Sequence, residues 1–407
     1  MKRVVVTGMS AITSMGDDWQ TFKRNIEAGN TGIARMDEWD RYLDLRTRLA
    51  GPVTHFVPPP HYNRKILRSM GRVAQMATTV TEQALTQAGL LDDPEIKSGA
   101  MGVSYGSSSG TPKAIGDFGN MLLNDKMEGI NANTYIKMMA HTTPVNIGVH
   151  FGLKGRVITT SSACTSGSQG IGYAYEAIKY GMQTMMVAGG AEELDATQAA
   201  VFDTLFATST ANDTPELSPR PFDRDRDGLV IGEGAATLVL EELEHAKARG
   251  ATILAEIVGF HCNSDGSHIT QPQAETMQVT MEQSLADAGL GAEQIGYVSA
   301  HGTATDRGDV AESTATQHVF ANKTPISSMK SYLGHSLGAC GSIEAWLSLK
   351  MMQDNWFAAT KNLENIDPAC GDLDYIMGEA RHIDTEYIMS NNFAFGGINT
   401  SLIFKRC

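Results

Sequence analysis

The sequence predicts an α/β fold built from two similar halves, in which helices cover both faces of each sheet. Two observations lead to this prediction: short apolar strands alternate with amphipathic helices along the chain, and one helix ending occurs twice. Residues 82–90 read EQALTQAGL and residues 282–290 read EQSLADAGL, so six of the nine positions are identical. We therefore expect a duplicated unit, with the N-terminal half at residues 1–250 and the C-terminal half at residues 251–407.

Both copies of the repeat end in the same way. Gly89 and Gly289 stand where a helix commonly ends in left-handed backbone, and the leucine after each glycine can close the cap. A buried strand pattern then follows in each copy, at residues 101–105 and 297–300, and leads into a loop of small residues. Two unrelated helices could share such an ending, but the matching strand and loop favour duplication.

The remaining elements follow in chain order. We expect strands at residues 3–9, 184–192, 232–242, 251–260 and 325–330, and helices at residues 172–181 and 243–250. The proline-rich stretch at residues 57–60 predicts a surface loop.

Composition limits the classes of function. The chain has 407 residues, a net charge of −14 and a pI of about 5.2, which argues against nucleic acid as the main partner. Its five cysteines are odd in number and widely spaced, which indicates free thiols rather than a disulfide framework or a zinc ribbon. The N-terminal segment has no signal-peptide pattern, and no stretch approaches the ~20 apolar residues of a membrane span. We expect a soluble cytoplasmic protein that binds no membrane.

Cys164 lies where a strand turns through small residues into a helix, within ITTSSACTSGSQGIGYAYEAIKYG. The positive end of a helix dipole and free backbone N–H groups favour the thiolate, which is the nucleophilic form. An isolated cysteine is more often a buried structural residue, but this setting favours a nucleophile.

His301 and His335 each follow a predicted strand and stand beside glycine, in HGTATDRGD and KSYLGHSLGACGSIEAW. Such positions can face a cavity, although a single histidine is more often a packing or surface residue. Cys164 and the two histidines could also be three ligands of a metal ion. Zinc sites usually contain a closely spaced ligand pair, which is missing here, so we expect no metal and no cofactor.

Near the C-terminus, SNNFAFGGINTSLIF places a Phe-x-Phe-Gly-Gly turn before a final strand. Such a turn can direct backbone N–H groups at an oxyanion, or it can simply be a tight turn beside two core phenylalanines. The chain lacks a phosphate-binding loop of the G-x-x-x-x-G-K-[ST] type.

Five segments together resemble the elongating β-ketoacyl-(acyl carrier protein) synthases, a family with the thiolase fold. These segments are SSACTSGSQGI, RPFDRDRDGLVIGEGA, HGTATDRGD, KSYLGHSLGACGSIEA and NNFAFGGINTS. They stand in the family's order and the resemblance covers essentially the whole chain. It implies a duplicated five-layer α-β-α-β-α arrangement and a dimer, of two identical subunits or of two related ones.

The resemblance also implies the reaction, a decarboxylative Claisen condensation of a cysteine-bound acyl chain with malonyl-(acyl carrier protein). This reaction lengthens the chain by two carbons in fatty acid, polyene or polyketide biosynthesis. Cys164 would carry the acyl chain, with its own N–H and that of Phe395 as the oxyanion hole. His301 and His335 would donate hydrogen bonds to the malonyl thioester and stabilise the enolate.

Further residues match supporting positions of the family. The resemblance assigns Lys330 and Glu344 to the support of the histidines, Thr303 and Thr305 to the pantetheine arm, and Phe393 and Phe395 to gating of the pocket.

The chain departs from the common family pattern at three places. Ser109 stands where a bulky aliphatic residue often lines the acyl pocket, which indicates a roomier or more polar pocket. Phe206 and Ala211 stand where arginines often help to dock the acidic carrier protein. We therefore expect docking on the basic cluster of residues 63–72, namely Arg64, Lys65, Arg68 and Arg72, although charge clusters are usually solvated helix faces.

These departures suggest a narrower hypothesis, an accessory synthase that extends an aryl or polyene chain. Three rival functions are disfavoured. A degradative thiolase has a second cysteine near the C-terminal glycine loop, and an initiating or chalcone-type synthase pairs Cys and His with Asn. A non-catalytic chain-length partner lacks the nucleophile that Cys164 supplies.

Overall fold

The computed structural model describes residues 1–321 and 323–407. The strands of the N-terminal half are β1 (Val4–Thr13), β2 (Ala34–Arg35), β3 (Leu49–Gly51), β4 (Met101–Gly106), β5 (Val157–Thr160), β6 (Met185–Glu192), β7 (Ile231–Gly232) and β8 (Gly234–Glu242). Its helices are α1 (Trp19–Glu27), α2 (Arg64–Leu67), α3 (Arg72–Ala88), α4 (Pro112–Asn124), α5 (Ala132–Met138), α6 (Thr142–Phe151), α7 (Ser166–Lys179), α8 (Ala196–Asp203) and α9 (Leu243–Ala248).

The C-terminal half continues the same alternation. Its strands are β9 (Ala255–Ser264), β10 (Ile295–Ser299), β11 (Pro325–Ser327), β12 (Trp356–Phe357), β13 (Asp374–Tyr375), β14 (Arg381–His382), β15 (Tyr387–Ala394) and β16 (Ile398–Lys405). Its helices are α10 (Ala274–Ala288), α11 (Asp306–Phe320), α12 (Lys330–Leu333) and α13 (Cys340–Asp354). Within the ranges given above, no helix combines the length and the apolar character that crossing a bilayer requires.

The order of the strands confirms the duplication. The large sheet runs β13-β11-β10-β15-β16-β9-β1-β8-β6-β4-β5. If the main strands of each half are numbered from one to five along the chain, both halves have the order 3-2-4-5-1. The two first strands, β1 and β9, pair antiparallel, with Val5 opposite Glu256. The two sheets therefore meet at equivalent edges.

The expected five layers are also present. α7 and α13 pack against each other and contact strands of both halves, so they form the central layer. α3 and α6 cover the outer face of the N-terminal sheet, and α10, with α11 beside it, covers the outer face of the C-terminal sheet. Because helices cover both faces of the large sheet, most of its strands are buried along nearly their whole length.

The repeated helix ending has the predicted geometry. Gly89 and Gly289 have φ angles of 70° and 68°, in the left-handed region that glycine adopts without strain. The leucine after each glycine donates its N–H to the carbonyl five residues earlier, at 2.9 Å after α3 and 3.0 Å after α10. These hydrogen bonds close both helices.

Several elements differ from the sequence-based expectation, for example the strand expected at residues 251–260, which is Ala255–Ser264, and three further differences have a clear physical reason. The strand predicted at residues 325–330 ends at Ser327, because the N–H of Ser328 turns away to Thr360 Oγ1 at 3.0 Å. α7 begins at Ser166 rather than at residue 172, since packing in the central layer stabilises a run of weak helix formers. β15 was not predicted, because polar residues such as Asn391 and Asn392 interrupt its apolar pattern although they are fully buried.

Candidate active site

Cys164 lies in the single 3₁₀ turn Ala163–Thr165, which joins β5 to α7. Ala163 has a φ of 51°, an unusual left-handed conformation for a residue with a side chain. The Oγ of Ser166 donates to the carbonyl of Ala163 at 2.7 Å and supports this turn. The result is a thiol held at the N-terminus of a central helix, with 3% of the residue exposed.

The protonation of Cys164 differs from the expectation. Burial raises the pKa of the thiol to about 11, although the N–H of Phe395 and the charge of Lys330 act in the opposite direction. The helix N-terminus therefore does not by itself produce a resting thiolate. A neutral thiol at pH 7 needs a neighbouring group that accepts its proton.

His335 is that neighbour, because its Nε2 lies 2.9 Å from Cys164 Sγ. Its backbone is fixed by the segment around β7, since the N–H of His335 donates to Val230 at 2.6 Å and its carbonyl accepts from Gly232 at 2.8 Å. Burial and the nearby charge of Lys330 lower the pKa of His335 well below its usual value, so the ring is neutral. Within residues 1–321 and 323–407, its Nδ1 has no hydrogen-bond partner.

His301 stands perpendicular to His335, with the two ring centroids 5.1 Å apart. It directly follows β10, and a buried carboxyl group holds its backbone. Glu312 accepts from the N–H of His301 at 2.7 Å and from that of Gly302 at 2.6 Å. Asp309 holds the next turn in the same manner, by accepting from Thr303 at 3.0 Å.

The sequence did not identify Asp309 and Glu312 as site residues. Burial raises the pKa of Asp309 to about 6 and that of Glu312 to about 8. Both lie on α11, Asp309 as the last residue of HGTATDRGD and Glu312 three residues later, a spacing that places them on one face of the helix.

A buried polar network contacts the far side of the His301 ring. Lys330 Nζ lies 3.2 Å from His301 Nδ1 and forms an ion pair with Glu344. Asn392 Nδ2 lies 3.3 Å from the same ring nitrogen and donates to Glu344 Oε2 at 2.6 Å. Burial, together with the charge of Lys330, lowers the pKa of His301 well below its usual value, so this ring is also neutral.

One ligand atom of each of Cys164, His301 and His335 lies within 4.8 Å of the other two, a spacing at which a metal ion could be held. The ammonium group of Lys330 contacts His301 from the other side. A second cation beside this buried charge would be repelled, so the residues present fit a metal ion poorly.

A cavity of about 600 Å³ opens onto Cys164 and both histidines. Thr303 and Thr305 line it, with their hydroxyl oxygens 2.9 Å apart. Phe393 and Phe395 line it as well, and the ring of Phe395 stacks edge-on against Phe202 with centroids 5.9 Å apart. The structure therefore brings together the residues that the sequence assigned to the nucleophile, the histidines, the pantetheine arm and the gating loop.

Ser109 has a different environment. In the described part of the chain it is not a lining residue of this cavity, and its Oγ lies 3.4 Å from Glu192 Oε1. Glu192 also accepts from the N–H of Ser108 at 2.8 Å and from that of Gly338 at 3.0 Å. Ser109 is thus part of a buried polar cluster around a carboxyl group.

The predicted docking residues Arg64, Lys65 and Arg68 are exposed in and next to α2. Arg72 differs from these three residues, because its guanidinium group pairs with Glu233 at 2.6 Å while 37% of the side chain remains exposed. Phe206 is 77% exposed and lines the cavity, so an aromatic ring lies at the cavity opening.

The turn that holds Cys164 has a counterpart in the C-terminal half. The turn Leu337–Ala339 leads into α13 as Ala163–Thr165 leads into α7, and Leu337 has a similar φ of 46°. Gly338 occupies the position of the nucleophile. In the C-terminal half, α12 and His335 lie between the strand β11 and the turn Leu337–Ala339. In the N-terminal half, only two residues separate β5 from the turn Ala163–Thr165.

Comparison with known proteins agrees with this architecture. A family model described as "Beta-ketoacyl synthase, N-terminal domain" matches residues 1–246, and one described as "Beta-ketoacyl synthase, C-terminal domain" matches residues 254–364. The chain is 39% identical to 3-oxoacyl-[acyl-carrier-protein] synthase 2 of Vibrio cholerae, over 100% of this chain and 99% of that protein.

Solved structures give the same result. A beta-ketoacyl synthase from Burkholderia phymatum superposes with a TM-score of 0.99 at 60% identity, over 100% of both chains. A ketosynthase solved in complex with its type II PKS acyl-carrier protein superposes with a TM-score of 0.88 at 27% identity, over 100% of this chain and 99% of that one.

Proposed function

Since the chain belongs to the beta-ketoacyl synthase family and is a condensing acyltransferase of the 3-oxoacyl-[acyl-carrier-protein] synthase kind, we propose which of its residues carries out each step of the reaction. The observation that carries the proposal is the contact between Cys164 Sγ and His335 Nε2, in a cavity that His301 also lines.

In the first half-reaction Cys164 takes the acyl chain from a carrier protein. The thiol loses its proton, with His335 Nε2 as the acceptor 2.9 Å away, and the sulfur attacks the thioester carbonyl. A new C–S bond forms on Cys164, the bond to the carrier's sulfur breaks, and the leaving thiolate takes up the proton. The N–H groups of Cys164 and Phe395 stabilise the oxyanion.

In the second half-reaction malonyl-(acyl carrier protein) occupies the cavity. Its carboxylate leaves as carbon dioxide, and the electron pair of the broken bond forms an enolate. His301 and His335 donate hydrogen bonds to the enolate oxygen, which requires a proton on the ring nitrogen that faces the substrate. The enolate carbon then attacks the acyl carbonyl, the C–S bond to Cys164 breaks, and the released thiolate takes up a proton from solvent to restore the thiol. The product is two carbons longer.

The environment suits these steps because both histidines are neutral and buried. A neutral ring can donate a hydrogen bond to a developing oxyanion without placing a second full charge beside Lys330. Lys330 and Glu344 support His301 through an ion pair that is itself buried. Thr303 and Thr305 are placed to bind the pantetheine arm where it passes through the cavity.

The carrier protein docks on exposed positive charge. Arg64, Lys65 and Arg68 offer such charge on a chain of net charge −14, and an acidic carrier protein would complement it. The ketosynthase that superposes at a TM-score of 0.88 was solved in complex with its acyl-carrier protein, which supports a partner of this class.

The chain also forms a dimer through β5. This strand lies at the end of the sheet with one edge unpaired, and Val157 on it is 53% exposed. Val149, on α6 next to β5, is 77% exposed. An open strand edge flanked by exposed apolar residues is typical of an interface. The partner is a second copy of this chain or a related subunit.

For the acyl chain we propose the accessory role, extension of an aryl or polyene chain rather than of a long saturated chain. The support is the sequence departure at Ser109, which stands where the family often has a bulky aliphatic residue. Residues 1–250 and residues 251–407 act as the two structural halves of one catalytic unit.

The five unpaired cysteines support a location in the reducing environment of the cytoplasm.

Mass spectrometry tests the proposed function. The purified protein is mixed with carrier proteins that bear saturated, unsaturated or aryl acyl chains, and the mass of the intact protein is measured before peptide mapping. We expect an acyl adduct on Cys164 that Cys164→Ala abolishes, and Cys340→Ala serves as the control for a second buried thiol. Absence of an adduct from every donor, with or without malonyl-(acyl carrier protein), would contradict the assignment of the nucleophile.

A further inference from the structure

Asn392 lies on β15, is fully buried, and directs its amide nitrogen at the catalytic network. Nδ2 donates to Glu344 Oε2 at 2.6 Å and lies 3.3 Å from His301 Nδ1. It also lies 3.7 Å from the sulfur of Cys340, which in turn lies 3.2 Å from the carbonyl oxygen of Cys164. No role in the reaction has been assigned to Asn392 so far.

The neighbours of the Asn392 amide fix its orientation. If the amide were turned by half a rotation, its oxygen would face the carboxylate of Glu344, and two acceptors would oppose each other without a proton between them. The nitrogen therefore faces Glu344 and His301. The amide oxygen has no hydrogen-bond partner among residues 1–321 and 323–407. The hydrogen bonds of this side chain are therefore made by its nitrogen.

This orientation determines which nitrogen of His301 carries the proton. Two donors face Nδ1, the ammonium of Lys330 at 3.2 Å and the amide of Asn392 at 3.3 Å. A neutral imidazole has one N–H and one acceptor nitrogen. Because Nδ1 must accept, the proton lies on Nε2.

The two donors differ in how firmly they are held. Lys330 ends a flexible side chain and shares its ammonium group with Glu344. Asn392 has a short side chain on a strand that pairs with β10 on one side and β16 on the other. A planar amide on this rigid support can fix the plane of the ring as well as its tautomer.

We propose that Asn392 is a positioning residue of the condensation, whose amide N–H holds His301 in the tautomer that donates from Nε2 to the thioester oxygen of the malonyl group. The inference rests on the proposed function, since the donated hydrogen bond serves the decarboxylation. Loading of the acyl chain onto Cys164 uses His335 and does not need this tautomer.

The test separates the two half-reactions. Asn392→Asp keeps the shape of the side chain but presents an acceptor to His301 Nδ1, which draws the proton to that nitrogen. We expect decarboxylation of malonyl-(acyl carrier protein) to fall about 100-fold, the loss typical when one oxyanion donor is removed. Acyl loading of Cys164, measured by intact mass, should stay within about threefold of the unmodified enzyme.

Asn391→Asp is the matched control. Asn391 is the preceding residue of the same strand, is equally buried, and contacts Met281 rather than the catalytic network. We expect this change to leave the ratio of loading to decarboxylation unaltered. Asn392→Leu, which removes the donor without adding charge, replaces Asn392→Asp if the aspartate variant does not fold.

NMR of the histidine ring nitrogens gives a readout that does not depend on turnover. The signal of His301, assigned by its loss in His301→Gln, should show a proton on Nε2 in the unmodified protein and on Nδ1 in Asn392→Asp. A proton on Nδ1 in the unmodified protein, or an equal fall of loading and decarboxylation in Asn392→Asp, would overturn the inference. If the unmodified protein neither loads an acyl chain nor decarboxylates malonyl-(acyl carrier protein), the proposed function fails. The NMR measurement of the His301 tautomer then still shows whether Asn392 holds the proton of His301 on Nε2.

Discussion

His335 Nε2 lies 2.9 Å from Cys164 Sγ, although 171 residues separate the two along the chain. Both groups are buried and neutral, so the pair is a thiol beside an uncharged base rather than a preformed thiolate and imidazolium. In the proposed mechanism, activation of Cys164 therefore coincides with transfer of its proton to His335.

The first prediction concerns the pH dependence of thiol reactivity. Since burial raises the pKa of Cys164 to about 11, the thiolate fraction at pH 7 is small and rises about tenfold for each pH unit below that value. We expect the rate of alkylation of Cys164 by iodoacetamide to increase continuously from pH 7 to pH 10. Peptide mapping follows the rate, with the exposed Cys407 as the internal reference. A plateau below pH 8 would show that the resting group is already a thiolate.

The second prediction concerns His301. Replacement by alanine removes one donor to the enolate oxygen, so decarboxylation of malonyl-(acyl carrier protein) should fall about 100- to 1,000-fold. Loading of Cys164 should persist, because His335 and not His301 contacts the sulfur. Release of carbon dioxide and intact mass measure the two steps, and His318→Ala, at an exposed position on α11, is the control. Loss of loading in His301→Ala would contradict the division of labour between the histidines.

The third prediction concerns carrier-protein docking. The double change Lys65→Glu and Arg68→Glu reverses two exposed charges, so binding of an acidic carrier protein should weaken at least tenfold, and more at low salt. Surface plasmon resonance at two salt concentrations measures the affinity.

Lys97→Glu with Lys247→Glu is the matched control, since both residues are exposed and the change in net charge is the same. Unchanged affinity in the Lys65 and Arg68 variant, or an equal loss in the control, would place docking elsewhere. The cavity opening near Phe206 would then be the next surface to test.

The fourth prediction concerns the dimer. Val149→Glu with Val157→Glu introduces two charges on the β5 side, and a buried unpaired charge is costly, so the dimer should dissociate into monomers. Light scattering after size-exclusion chromatography measures the mass. Val279→Glu with Ile366→Glu changes two exposed apolar residues elsewhere and should leave the assembly intact. A dimer that survives the first double change would exclude this edge as the interface.

Much of the fold follows from local patterns in the sequence. The repeated helix ending predicted the duplication because glycine in left-handed backbone and its following leucine form a local structure. Cys164 and His301 could be singled out because each follows a strand in a loop of small residues. His335 follows the helix α12 and was singled out by its glycine-flanked segment together with the family resemblance. These features depend on neighbours along the chain.

The remaining features depend on contacts between distant segments. Asn392 meets His301 because β15 pairs with β10, and these two strands, the fourth and the second in the order 3-2-4-5-1, are not consecutive along the chain. The protonation of Cys164 depends on the balance between burial and a helix N-terminus, and the extent of burial is a property of the folded chain. Arg72 was assigned to docking because its charge is visible in the sequence, whereas its partner Glu233 is 161 residues away.

The unequal connections in the two halves have a consequence for where reactive groups can stand. A Cβ atom on Gly338 would lie 2.6 Å from the backbone nitrogen of Ser108, so this turn cannot hold a cysteine unless its neighbours move. The longer segment ahead of that turn carries Lys330 and His335 instead. The site draws its thiol from one half of the chain and its two histidines from the other, so neither half alone contains all three groups.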